Sequence, residues 1–284
     1  MFNKITIVGM GLIGGSVGMA CRRKRLAKNV VAVVRRTSAI DEVHDHEAAD
    51  EVSLDILKGV ASADLVVMAT PVESIPALAK KARPALSGRC VVTDVGSVKR
   101  SIVSRMERLL KSTCHFVGAH PMAGSERSGI TVASLTLFEG ATCIITPTKN
   151  SSPTAVRKVR KFWEAIGCSV VSLSPRQHDL SIALVSHLPH VAASCLVNAL
   201  IRGSRDALST VKLAGGGFRD TTRIAAGSPD LWAGICIENR DAILCSLKGF
   251  AEEVSEFTDL LEKKDREGLR AFLQRAKELR DKSS

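Results

Sequence analysis

KITIVGMGLIGGSVGMACRR, residues 4–23, decides the fold of this 284-residue chain. Its opening residues read as a buried strand, and Gly9, Gly11 and Gly14 follow in GxGxxG register before a helix that starts near Leu12. In that order of strand, turn and helix, the first glycine permits the tight turn and the second lets backbone approach a pyrophosphate. The third lets the helix pack closely on the strand. The helix, opened by Leu12 and Ile13, offers free N–H groups and a partial positive charge to phosphates.

Outward from this stretch, the runs VVAVV, DLVVMAT, CVVTDV, ATCIIT and SVVSL recur between helical patterns. Apolar strands alternating with helices predict an α/β fold, a doubly wound parallel sheet covered on both faces. PTKNSSPTAVRKV has the composition of a linker, yet a strand follows it, so Asn150 to Pro153 reads as a loop and helix start. The last strand ends near Leu173. Residues 1–174 are therefore expected to form the dinucleotide-binding domain and 175–284 an all-helical second domain. Within the latter, HDLSIALVSHLPHVAASCLVNALI is apolar over about six turns, more than one exposed amphipathic helix needs. Burial against a second copy follows, and a homodimer through this half is expected.

Forty Lys and Arg against 29 Asp and Glu leave a net charge of +11. Aromatics are scarce and the basic residues dispersed, which argues against nucleic acid and leaves a solvated basic surface or an anionic small-molecule substrate. No apolar run is read as crossing a bilayer, and the first strand leaves no room for a secretory signal, so the expectation is a cytoplasmic protein without membrane contact. Eight scattered cysteines, with no CxxC pair and no His at metal spacing, read as buried thiols, and no metal is expected.

A carboxylate ends the second strand of sites that hold a ribose 2′-hydroxyl. Val34 occupies that place here, followed by Arg35 and Arg36, whose guanidinium groups suit a 2′-phosphate, so NADP is favoured over NAD. Ligands of an open α/β sheet sit beyond the carboxyl ends of strands. Chemistry is thus expected in three loops: MATPVES (68–74), which includes Thr70 and Pro71, TDVGSVK (93–99) and FVGAHPMAGSERSG (116–129). Small neighbours leave the His120 ring approachable, and Pro121 biases it toward extended backbone. An imidazole titrating near neutrality suits acceptance of a hydroxyl proton as hydride leaves the same carbon, with Ser97 as an orienting partner.

SHLPH puts Ser186 and His190 on one helical face and His187 about a quarter-turn from Ser186. Pro189 is expected to kink this helix and free the carbonyl of Val185. Such polar groups need partners, in the core or in a ligand. GGGFRDTTRIA carries Arg219 and Arg223 four apart, which suits a carboxylate clamp. SPDLW opens a helix with Ser228 as N-cap, Pro229 first and Trp232 in the first turn.

Taken together, GMGLIGGS, DVGSVK, GAHPMAGSERSG, SHLPH, GGGFRDTTRIA and SPDLW resemble, in order and over about residues 3–250, the prephenate dehydrogenase family of tyrosine biosynthesis. That group includes arogenate and cyclohexadienyl dehydrogenases. The resemblance implies a Rossmann-like domain joined to a helical dimerisation domain, and oxidative decarboxylation of prephenate to 4-hydroxyphenylpyruvate with hydride passing to nicotinamide. It further implies His120 as general base supported by Ser97, Arg223 as carboxylate partner, and His190 and Ser186 lining the pocket. Glu126, next to Ser125, becomes a gate at its mouth and Trp232 a wall, while Thr70 and Pro71 join the glycine loop as cofactor contacts. Val34 departs from NAD-using members. The charged ending REGLRAFLQRAKELRDKSS leaves no fused mutase or ACT domain to expect. Glu126 with His190 favours prephenate over arogenate. A β-hydroxyacid dehydrogenase or imine reductase is the nearest other class, but the former use a lysine on the interdomain helix and none lies between Phe162 and Val211. A non-catalytic NADP-sensing module would need neither base nor clamp.

Overall fold

The computed structural model describes residues 2–282. The first half runs β1 (Phe2–Val8), α1 (Leu12–Arg23), β2 (Ala27–Val33), α2 (Ser38–Asp45), β3 (Glu51–Ser53), α3 (Ile56–Val60), β4 (Leu65–Met68) and α4 (Ile75–Ala82). It continues with β5 (Val91–Asp94), α5 (Arg100–Leu110), β6 (His115–Pro121), β7 (Thr142–Thr146), α6 (Pro153–Ile166) and β8 (Ser169–Ser172). All eight strands join one sheet in the order β3-β2-β1-β4-β5-β6-β7-β8. Neighbours are parallel except β6 and β7, which run antiparallel and pair His120 with Ile144. The order reverses between β1 and β4, and the crevice beyond their carboxyl ends is where such sheets bind ligands.

Strand alternation sends Ile5, Ile7, Leu65 and Val67 to one face and Val8, Val66 and Met68 to the other. The first face packs on α1 and α6 through Val17, Phe162 and Trp163, the second on α4 and α5 through Ile75, Ala79, Ile102 and Met106. The doubly wound sheet is thus as expected, with two strands that sequence patterning passes over. β3 has only three residues. β6 was expected to be a loop, because after Phe116 and Val117 it continues with Gly118, Ala119, His120 and Pro121. Those small residues serve packing: a Cβ on Gly118 would stand 2.6 Å from Thr146 Oγ1 and 2.9 Å from Val103 on α5.

The second half is helical: α7 (Pro175–Ile182), a π-helical turn (Ala183–His187), α8 (Leu188–Gly203), α9 (Ala207–Val211), α10 (Gly216–Thr222), α11 (Pro229–Glu238), α12 (Arg240–Glu262) and α13 (Arg266–Lys282). Ser228 caps α11 by accepting from Leu231 N–H, with Pro229 in the first turn as expected. Leu188 N–H donates to Ala183 O, five residues back, which places a π turn immediately before Pro189. The continuous run Pro175–Gly203 is long and apolar enough to cross a bilayer, against the sequence expectation. Buried His178, Asp179, His187 and His190 lie along it, however, and several of them bond to the sheet domain or to α12 and its approach. Its own core is thin: Ala183, Ala242 and Ile243 with Cys236 and Leu247. Val185, Ile201, Leu208 and Leu213 stay exposed, the last at 86%. Cysteines follow the same division. Those of the sheet domain are buried, whereas Cys195 and Cys245 are exposed and Cys236 half-buried, because the outer faces of these helices are uncovered in a single chain.

Candidate active site

The glycine loop is shaped for a dinucleotide. Gly9 has φ +96° and a Cβ there would lie 2.6 Å from Ala69 O; one on Gly14 would lie 1.9 Å from Gly9 O. Gly11 faces open space and N-caps α1 with no side chain bonded to the helix N–H groups, so those donors stay available. Thr70 and Pro71 follow β4 beside this loop, with Thr70 Oγ1 accepting from Ser74. Val34 is buried where an acidic residue would meet a ribose. Arg35 and Arg36 are exposed and, among the described residues, carry no ion pair. These residues fit a nicotinamide dinucleotide.

His120 lies at the carboxyl end of β6, 8% exposed. Its Nδ1 is 2.9 Å from His178 Nε2, and His178 Nδ1 is 2.7 Å from Asp179 Oδ1. Asp179 also accepts from Lys99 N–H (2.8 Å) and Arg100 N–H (2.9 Å), capping α5 from 80 residues away. A carboxylate with these donors can only accept, so His178 donates from Nδ1. Neutral His178 then accepts at Nε2, His120 donates from Nδ1, and His120 Nε2 is left as a free lone pair. Burial, reinforced by the cost of adding positive charge beside Lys99 and the neighbouring His178 and His187 rings, pushes His120 well below the ordinary imidazole value of 6.5. Burial likewise keeps His178 below it, against the pull of Asp179. Both rings are neutral at pH 7, as the relay requires.

Behind the relay, wholly buried Lys99 pairs with wholly buried Asp94. Asp94 accepts in addition from Gly96 N–H and Ala119 N–H, tying the loop after β5 to the residue before His120. Lys99→Met should therefore lower unfolding free energy by about 3–5 kcal/mol, since it strands a buried carboxylate. Urea denaturation checks this; an unchanged midpoint would mean that Asp94 is held by its backbone donors alone.

From the helical half, His190 stacks on Trp232 with ring centroids 3.5 Å apart at 11°, and Gly227 leaves room for the pair. Arg223 reaches Glu126 at 2.7 Å, across 97 residues. Arg219 does not share that contact: it is exposed and, among the described residues, carries no ion pair. Ser125 is exposed and its hydroxyl accepts from Arg127 N–H. Ser186 is half-buried in the π turn.

Residues 17–172 match the family described as prephenate dehydrogenase, nucleotide-binding domain, and residues 174–275 match prephenate dehydrogenase, dimerization domain. The chain belongs to the prephenate dehydrogenase family. It is 32% identical to the prephenate dehydrogenase of Bacillus subtilis over 99% of its own length and 76% of that protein. The crystal structure of the Aquifex aeolicus prephenate dehydrogenase in complex with hydroxyphenyl propionate and NAD+ superposes with TM-score 0.94 at 33% identity, covering 100% of this chain and 99% of that one. The Synechocystis arogenate dehydrogenase structure gives 0.83 at 31% identity, over 99% and 100% of the two chains.

In this prephenate dehydrogenase fold the motifs quoted from sequence converge, with one exchange of partners. Ser97 makes no hydrogen bond to His120 among the described residues; His178 supplies the orienting contact. The Ser97 hydroxyl, half-buried after β5, has no protein partner among the described residues. His178, Asp179, Asp94 and Lys99 were the residues missed. The adjacent His and Asp of QHDLS, two polar groups opening a long apolar helix, were the available signal.

Proposed function

We propose that this chain oxidatively decarboxylates prephenate to 4-hydroxyphenylpyruvate with a nicotinamide dinucleotide as hydride acceptor. The observation that carries the reading is the free Nε2 of His120, its tautomer set by His178 and Asp179, at the carboxyl end of a strand two places from the dinucleotide crevice. A nicotinamide bound at the glycine loop supplies the two-electron acceptor. His120 Nε2 accepts the substrate hydroxyl's hydrogen bond and holds its proton while carbonyl character develops at that carbon. The proton returns when the pair of the breaking C–CO2 bond enters the ring and makes it a phenol. Ser97 offers a second contact to the hydroxyl, and Arg223 takes a substrate carboxylate. Glu126 holds that arginine until substrate displaces it, while His190, Ser186, Ser125 and Trp232 shape the pocket.

Exposed Arg35 and Arg36, with Val34 between strand and loop, support NADP+ over NAD+, although the Aquifex relative was crystallised with NAD+. Prephenate is favoured over arogenate, the substrate in the Synechocystis protein's name. One set of assays tests all of this: both substrates with both cofactors. Turnover of prephenate with a KM for NADP+ about tenfold or more below that for NAD+ is expected; no turnover of either substrate would refute the function, and a lower KM for NAD+ would refute the cofactor preference. The domain boundary falls between β8 and α7, the exposed apolar residues of the second half are covered by a second copy in a homodimer, and the enzyme acts in the cytoplasm on a small anionic substrate.

A further inference from the structure

Asn239 Nδ2 donates to Asp179 O and to His187 Nδ1, both at 3.0 Å. A backbone carbonyl can only accept, which fixes the Asn239 amide with its NH2 toward both partners. His187 Nδ1 is therefore an acceptor, and burial, which holds this ring down to about 4, keeps it neutral with its single proton on Nε2. That N–H is closed off from solvent and has no partner. Buried donors are nearly always satisfied, so an orphan of this kind next to a candidate site calls for a functional account. Among the described residues five buried side-chain polar atoms lack partners, and His187 Nε2 is the one on a ring tied through Asn239 to Asp179, the end of the relay. The ring stands edge-on to Trp232, centroids 6.0 Å apart at 86°, and closes the π turn, a feature frequent at functional sites.

Resting on the function proposed above, the substrate brings three polar groups to this site. The hydroxyl goes to the His120 acceptor and one carboxylate to Arg223; the carboxylate on the ring, lost as CO2, has no assigned partner. We propose that His187 Nε2–H receives this ring carboxylate in the loaded site, which makes His187 a specificity-determining residue. A neutral donor suits the task. It orients the group, whereas a cation there would stabilise the anion in the ground state more than in a transition state whose charge is moving into the ring.

His187→Asn keeps an acceptor for Asn239 and removes the distal donor; His187→Gln keeps an amide N–H at the Nε2 position. Kinetics of the full-length variants with prephenate, together with inhibition by 4-hydroxyphenylpyruvate, which lacks the ring carboxylate, separate the possibilities. His187→Asn is expected to raise the KM for prephenate about tenfold or more and leave the inhibition constant of the product within about twofold, with Gln restoring most of the loss. A fold defect moves both constants together, so the contrast decides even if Asn lowers the melting temperature. An unchanged KM, or equal shifts in both constants, would overturn the assignment. Failure of the wild-type protein to oxidise prephenate would instead overturn the function on which it rests.

Discussion

Replacing His120 by asparagine should lower kcat by about 10²- to 10⁴-fold while leaving the Kd for the dinucleotide unchanged. Asparagine can still donate toward His178 from an amide near the Nδ1 position, so the buried contact at the end of β6 has a substitute, but no basic nitrogen remains to take the hydroxyl proton. The cofactor loop lies on β1 and α1 and gains or loses nothing by the change. Stopped-flow hydride transfer and cofactor titration measure the two halves separately. A variant with wild-type kcat would show His120 to be a core histidine, and loss of cofactor binding would show that the change had damaged the sheet.

Removing the ring behind it should cost nearly as much. His178→Phe keeps a planar ring, somewhat larger than imidazole, in a fully buried position yet deletes both nitrogens of the relay. His120 Nδ1 then has no acceptor, so its proton is free to sit on either nitrogen, and the positive charge that forms during turnover is no longer shared toward Asp179. A fall in kcat of about 100-fold is expected, with substrate KM changed much less. Asp179→Asn provides a graded control. Its Oδ1 can go on accepting from His178 and Lys99 N–H, while the amide nitrogen faces Arg100 N–H donor to donor and gives up that bond, so the relay keeps its acceptor with a neutral terminus and a smaller loss is expected. Equal and full activity in both variants would remove the relay from the mechanism.

The fold was legible because its main signals are local. The Gly9, Gly11 and Gly14 spacing, the β-branched runs and Ser228-Pro229 each reflect backbone requirements satisfied within a few residues. The candidate site was legible only as separate motifs. Asp179 meets Lys99 and Arg100 across some 80 residues, and His120 meets His178 across 58, so neither pairing leaves a periodic trace. The expectation of a Ser97 contact came from proximity along the strand ends, and the sheet instead places the second domain's first helix there. His120 reads from sequence as a loop residue because Gly118 and Ala119 lack β propensity; tertiary packing against Val103 and Thr146 overrides propensity at that strand. The long helix reads as too apolar to be exposed, yet in the single chain its Val185 and Ile201 are exposed, so its apolar pattern is not accounted for by packing within one chain.

The central claim concerns one proton position, and long-range ¹H–¹⁵N correlation of the histidine rings in the unliganded protein observes it. At pH 7 His120 and His178 should both be neutral with the proton on Nδ1. Because burial and neighbouring positive charge depress His120, it should stay so as pH falls past 6.5, protonating only in more acid solution, where loss of the lone pair would abolish the base. A His120 ring carrying its proton on Nε2, or one already charged at neutral pH, would contradict the account.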